Sequence, residues 1–210
     1  MNNDFNMELV MNKLKDIRKI FVSERDMQLE MALIIKEMYP NAKLRLEYCP
    51  AFDLNMHIDI LVIINNKWYP IELKYKTKGS KKIIDNEIFI LKNHGAKDVN
   101  SYLYLKDIER IEKIKNNANE FGKGYAIFIT NDLGYMNKPR ENVVFKDFSL
   151  ENNIIKSGKL CWKENTSQGT MGKNEKPIVL NGNYKLNWQL YSKLDNESNG
   201  TFMYLINEIK

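Results

Sequence analysis

The sequence predicts an α/β fold, a mixed central sheet flanked by helices and followed by a β-rich C-terminal extension, and three observations lead to it. Apolar residues recur at helical spacing in the stretches 7–21, 23–39 and 101–117. Between the last two lie three runs of strand character, 42–48, 57–64 and 68–75. After the break Gly122-Lys123-Gly124, the run YAIFIT at 125–130 is continuously apolar, as a strand buried on both faces requires.

The elements follow in order. Leu9, Val10, Leu14, Ile17, Ile20 and Phe21 define a leading amphipathic helix. Ser23 reads as the N-cap of the next one, with Asp26 three places on, and Met27, Met31, Ile34 and Met38 form its buried stripe until Tyr39-Pro40 stops it. Asn65-Asn66 separates the second and third strand candidates. Asparagine tolerates the positive φ that tight hairpin turns need, so those two strands are expected to be antiparallel neighbours. Leu105, Ile108, Ile111 and Ile114 mark the third helix. Beyond Asn131 the pattern shortens to strand-like pieces at 143–148, 159–163, 178–180 and 184–189, with 164–176 read as a mobile loop. The expected organisation is one domain over 1–210, with a core at 23–132 and the β-rich extension at 133–210.

Composition narrows the function classes. A chain of 210 residues with 43% hydrophobic, 11% aromatic and 28% charged side chains has the makings of one good core, and neither disorder nor a disulfide-stapled scaffold suits it. Lys and Arg exceed Asp and Glu by 32 to 27, which is compatible with a polyanionic partner without demanding one. Cys49 and Cys161 have no metal-ligand spacing and are expected to be buried thiols. The start, MNNDFNMELV, does not read as a signal peptide, and no stretch is long enough to span a bilayer, so a cytoplasmic protein without a membrane partner is expected.

The chemistry concentrates in two strands. Asp59 sits in HIDILVII, and Glu72 and Lys74 sit in WYPIELKYK, with twelve residues between Asp59 and Glu72. By strand alternation Glu72 and Lys74 share one face, while Ile71, Leu73 and Tyr75 share the other. Charges in strands with buried flanks are costly unless paired or bound to a metal. In a hairpin closed at Asn65-Asn66, Asp59 and Glu72 are equally far from the turn and oppose each other across the strands. Two such carboxylates repel unless a divalent cation lies between them, and Mg²⁺ or Mn²⁺ suits their hard oxygens. The competing reading is a pair of cross-strand salt bridges on a solvated face.

Asp59, twelve residues, then Glu72-Leu73-Lys74 resembles the D…(D/E)xK signature of the PD-(D/E)XK nuclease superfamily, the restriction-endonuclease-like fold. Ile58 stands where the signature has proline. The superfamily core is a helix, three strands, a helix and a fourth strand, which is the order read above. The likeness extends over most of residues 23–192, through SERDMQLEMAL, LRLEY, HIDI, PIELKYKTK, LKNHGAKD, LKDIERIE, GYAIFITND, GKLCW and NYKLNWQLYS, to a bacterial group within that superfamily. The resemblance implies a metal-dependent nuclease acting on a nucleic acid, DNA in the first instance. Asp59, Glu72 and the Leu73 carbonyl would hold the ion, and Lys74 would be the catalytic amine. An acid at the start of the first core helix often completes the metal shell, and Glu24 matches it; Glu47 is the rival and Glu30 a weaker one.

Asp107 on the third helix and His57 on the face of Asp59 are further candidates, each with a plain structural alternative. His94 beside Gly95 carries no assignment. Lys76, Lys78, Lys81 and Lys82 surround a stretch read as a basic loop beginning at Thr77, suited to backbone phosphates. The alternative function is a nucleic-acid-binding or regulatory module that keeps the fold without hydrolysis. A glycosidase using Asp59 and Glu72 would leave Lys74 without a task.

Overall fold

A computed structural model describes residues 5–194 and 198–210; the first four residues, part of the N-terminal stretch read above, lie outside the described residues. Helix α1, Met7–Ile17, begins where the Asn6 side chain accepts from the Leu9 N–H, and it buries Met7, Val10, Met11 and Leu14. It ends short of the expected 21. Ile20 and Phe21 are buried all the same, from a non-helical segment whose apolar spacing imitates one more turn. Helix α2, Glu24–Met38, starts as expected at Ser23, whose hydroxyl accepts from the Asp26 N–H.

Strands β1 (Lys43–Tyr48), β2 (Ile58–Ile64) and β3 (Lys67–Lys76) follow, and Asn65 and Asn66 turn the β2–β3 hairpin with φ of 51° and 61°. The stretch expected to be a basic loop is a correction. Past Lys78 it forms a second hairpin, β4 (Ser80–Ile84) and β5 (Glu87–Leu91), turned by Asp85 and Asn86 at φ 50° and 66°. Helix α3, Lys97–Asn117, begins about a turn earlier than its apolar stripe suggests, and β6, Gly124–Thr130, is buried at every position.

The C-terminal third departs further from expectation. Residues 143–148 form a turn and a 3-10 helix, Lys146–Phe148, and not a strand; Phe148 and Leu150 reach the core without strand pairing. The strand placed at 159–163 is β7, Ile155–Leu160. The expected mobile loop holds a one-turn helix α4, Gln168–Met171, and the pieces at 178–180 and 184–189 resolve into one strand β8, Ile178–Lys185. Strands β9 (Gln189–Lys193) and β10 (Thr201–Ile209) complete the fold.

Among the described residues the central sheet has six strands in the order β1-β2-β3-β6-β10-β9 and is mixed, with β3 and β6 parallel and the other neighbours antiparallel. One face packs Ile71, Leu73, Tyr75 and Ile127 with Met27, Met31 and Leu14 of the first two helices. The other packs Ala126, Phe128, Leu205 and Ile209 with Leu105, Ile108 and Ile111 of α3 and with Leu160, Ile178 and Leu180 of the β7–β8 pair. Gly124 permits that second contact, since a Cβ there would stand 2.2 Å from the Ile111 side chain. No helix among the described residues is long and apolar enough to cross a membrane.

Candidate active site

The β2–β3 ladder carries the first element of the site. Its last paired residues are Ile60 and Ile71, so Asp59 and Glu72 are the next opposed positions, at the end of the hairpin away from the turn. Alternation sends Ile71, Leu73 and Tyr75 into the α1–α2 core and Glu72 and Lys74 towards α3. There α3 contributes two residues one turn apart. Lys74 Nζ lies 2.6 Å from Asp107 Oδ2 and donates to the Leu73 carbonyl at 3.1 Å. Arg110 reaches Glu72 Oε1 at 3.1 Å and Asp107 Oδ1 at 3.2 Å, and also donates to the His57 carbonyl. Asp59 Oδ2 accepts from the Leu73 N–H at 2.6 Å.

Burial dominates the electrostatics. Glu72 has a fully buried side chain, and burial, reinforced by the Asp107 charge and partly offset by Arg110, pushes its carboxyl well above the ordinary range. Burial likewise brings Asp59 up to about 6, against the opposing pull of Lys74 and the Leu73 N–H. For Lys74 burial alone would lower the ammonium, but Asp107, Glu24 and Asp59 outweigh it, so the amine stays protonated. Both Glu72 oxygens and Asp107 Oδ2 lack a partner in hydrogen-bond geometry, although cations stand 3.1 and 2.6 Å away. The charges touch, but the donor directions miss.

Glu24 enters from the start of α2. Its Oε2 accepts from the Tyr75 N–H at 2.8 Å and from Lys76 Nζ at 2.9 Å, closing the end of β3, and its charge is felt at both Asp59 and Lys74. One turn on, Gln28 donates to the Asp59 carbonyl at 2.7 Å and to Glu47 Oε1 at 2.9 Å. Glu47, exposed and at φ 50°, therefore meets the site through Gln28. Glu30 pairs with Arg18. His57 precedes β2 and is exposed, so the strand face expected for it does not exist; its contribution is the carbonyl held by Arg110. His94 Nδ1 accepts from the Thr77 N–H at 3.1 Å and closes the base of the second hairpin. The cysteines, expected to be buried, are half-buried.

Of the basic residues, Lys76 is paired with Glu24, and Lys78 Nζ lies 3.2 Å from Asp132 with nearly half its side chain exposed. Lys81 is exposed. Lys82 is a correction: it is buried, and its ammonium donates to the Ser198 carbonyl at 2.6 Å, away from any surface that phosphate could meet.

Arg110 and Gln28 were not singled out in the sequence. The signal for each was helical spacing, three residues after Asp107 and four after Glu24, which places them beside residues already suspected.

For a cation, the oxygens on offer are those of Asp59 and Glu72 and the Leu73 carbonyl, with Glu72 unpartnered in hydrogen-bond geometry. Two carboxylates and a carbonyl fit an ion of the Mg²⁺ type that keeps several of its waters. They are not a ready-made cage: among the described residues no group of three or more His, Cys, Asp or Glu stands together to hold a metal. A cleft of about 700 Å³ on the α1 side, lined by Met11, Lys15, Tyr125 and Tyr204 among others, includes none of these residues. No family model matches this chain, and neither a curated protein nor a solved structure does.

Proposed function

We propose that this protein is a Mg²⁺- or Mn²⁺-dependent nuclease of the restriction-endonuclease-like type that hydrolyses phosphodiester bonds in DNA. The observation that supports it most is the opposition of Asp59 and Glu72 at the end of one hairpin, with both oxygens of a fully buried Glu72 lacking hydrogen-bond geometry. A native fold rarely leaves such atoms unsatisfied without a use for them. Asp59, Glu72 and the Leu73 carbonyl are the residues that would hold the cation. Bound there, a divalent cation supplies an acidified water and a counter-charge for phosphate.

The chain's own residues divide the remaining work. Lys74, kept protonated by Asp107, is unsuited to act as a base and serves as a fixed positive charge facing the phosphoryl oxygens. Asp107 positions that ammonium. Glu24 holds Lys76 and the end of β3 and acts on the site through them. Lys78 and Lys81 offer phosphate contacts along the duplex, independent of sequence.

The test is cleavage of plasmid and linear DNA by purified protein with Mg²⁺, Mn²⁺ or excess EDTA. Nicking or degradation is expected only with the metals, and Asp59→Ala and Glu72→Ala are each expected to abolish it in folded protein. Cleavage undiminished in EDTA, or a near-wild-type rate in either variant, overturns the reading. One observation favours the non-catalytic alternative: Lys74 and Arg110 already neutralise Asp107 and Glu72. A module of that kind would bind DNA without taking up a divalent cation.

A further inference from the structure

The two cations that face the carboxylates are held differently. Lys74 has 12% of its side chain exposed, lies 2.6 Å from Asp107 and donates to the Leu73 carbonyl of its own strand. Arg110 has 26% exposed and reaches Glu72 from a neighbouring helix with no hydrogen bond to either Glu72 oxygen. A guanidinium that recognises a carboxylate well does so through two parallel N–H···O bonds, and that geometry is missing here. Among the described residues Arg110 is nevertheless the cation in salt-bridge contact with Glu72. Its other partners, Asp107 and the His57 carbonyl, do not depend on that contact: Asp107 keeps Lys74 if Arg110 leaves, and the carbonyl is uncharged.

Resting on the metal-dependent reading above, we propose that Arg110 is the exchangeable counter-ion of this site. Its guanidinium neutralises Glu72 in the metal-free protein and gives up that contact when a divalent cation binds Asp59 and Glu72. The charge balance favours the exchange. Four carboxylates, Glu24, Asp59, Glu72 and Asp107, face three cations, Lys74, Lys76 and Arg110. Adding a dication with all three cations in place would set a guanidinium against it at the same carboxylate, where repulsion in a buried site is strong. With Arg110 released, every carboxylate still has a positive partner: Asp107 has Lys74, Glu24 has Lys76, and Asp59 and Glu72 share the ion. The contact thus spares a buried carboxylate from standing uncompensated in the metal-free fold, at the expense of metal affinity.

The test is calorimetric titration of Mn²⁺ into metal-stripped, full-length protein at pH 8, comparing wild type with Arg110→Met. Methionine keeps an unbranched stem and removes the charge. The variant is expected to bind Mn²⁺ at least tenfold more tightly and, before metal is added, to melt at a lower temperature than wild type. If wild type binds Mn²⁺ and the variant binds it equally or less well, Arg110 supports the metal site and the proposal fails while the metal-dependent reading stands. If neither protein takes up Mn²⁺ at millimolar concentration, the metal-dependent reading fails and this proposal with it. Should Arg110→Met not fold, NMR on wild-type protein decides, with the Arg110 Nε–H signal identified by its loss in Arg110→Lys. That signal is expected to shift and exchange faster with water as Mg²⁺ is added, and a signal unmoved at metal saturation overturns the proposal.

Discussion

At Asp59, burial favours the neutral acid while Lys74 and the Leu73 N–H favour the carboxylate, and burial prevails, leaving the group at about 6 against 3.8 in an exposed chain. The fold therefore holds this proton more tightly than the unfolded chain does. The resulting stability is fully present below the unfolded value and is lost as pH rises through about 6. Asp59→Asn keeps an acceptor for the Leu73 N–H and removes the charge. In EDTA it is expected to raise stability at pH 7 by about 1–3 kcal/mol and to flatten the loss between pH 4 and 7, with Glu72 supplying what slope remains. Urea denaturation across that range checks it, and a variant no more stable than wild type at pH 7 would mean that the charged form is not the strained one. The same scale shows what a motif conveys. Asp59, Glu72 and Lys74 stood out because strands with buried flanks give few reasons to hold charge, whereas Arg110 lies in the charged run LKDIERIEK, where one more arginine carries no signal.

The hairpins show how an element can be legible by a rule and still be missed. Asn65-Asn66 and Asp85-Asn86 adopt nearly the same pair of positive φ angles, yet only the first stood out between runs that were clearly β-branched. The second was masked by TKGSKK, whose composition reads as a loop. If Lys78 and Lys81 on and before β4 meet phosphates, changing both to alanine is expected to lower the slope of log affinity against log salt by about 1–2, and an unchanged slope would remove this hairpin from the DNA surface. Helix α3 is tied to β8 by two carboxylates, Glu109, which accepts from the Val179 N–H, and Glu112, which is buried and accepts from the Asn181 N–H and side-chain amide, the Gly182 N–H and the Tyr184 hydroxyl. Gly182 makes room for that fold-back, because a Cβ would stand 2.7 Å from the Tyr184 hydroxyl. Glu112→Ala leaves buried donors without an acceptor and is expected to cost about 3 kcal/mol. Hydrogen exchange should localise the loss to residues 155–185, and an unchanged denaturation midpoint would show that the donors find water instead.

Over the whole molecule, the C-terminal strands are part of the central sheet. β10 lies between β6 and β9 and buries Phe202, Tyr204, Leu205 and Ile209. At about 2 kcal/mol for each such side chain, their loss rivals the net stability of an ordinary domain, roughly 5–15 kcal/mol. Deleting residues 201–210 is therefore expected to abolish cooperative unfolding, read by circular dichroism on heating; a truncated chain that still melts in one sharp transition would show that the sheet closes without β10. The sequence by itself determined the features that depend on neighbouring residues: the Ser23 cap, the faces of the strands, the Asn65-Asn66 turn, and through that turn the opposition of Asp59 and Glu72. A two-residue turn sets the register of its own hairpin, so no distant part of the chain has a say. Tertiary structure alone decided that α3 lays Asp107 and Arg110 over Lys74 and Glu72, and that β10 inserts beside β6. Those choices come from competition among distant apolar faces for the same burial, and non-directional burial leaves no local pattern to read.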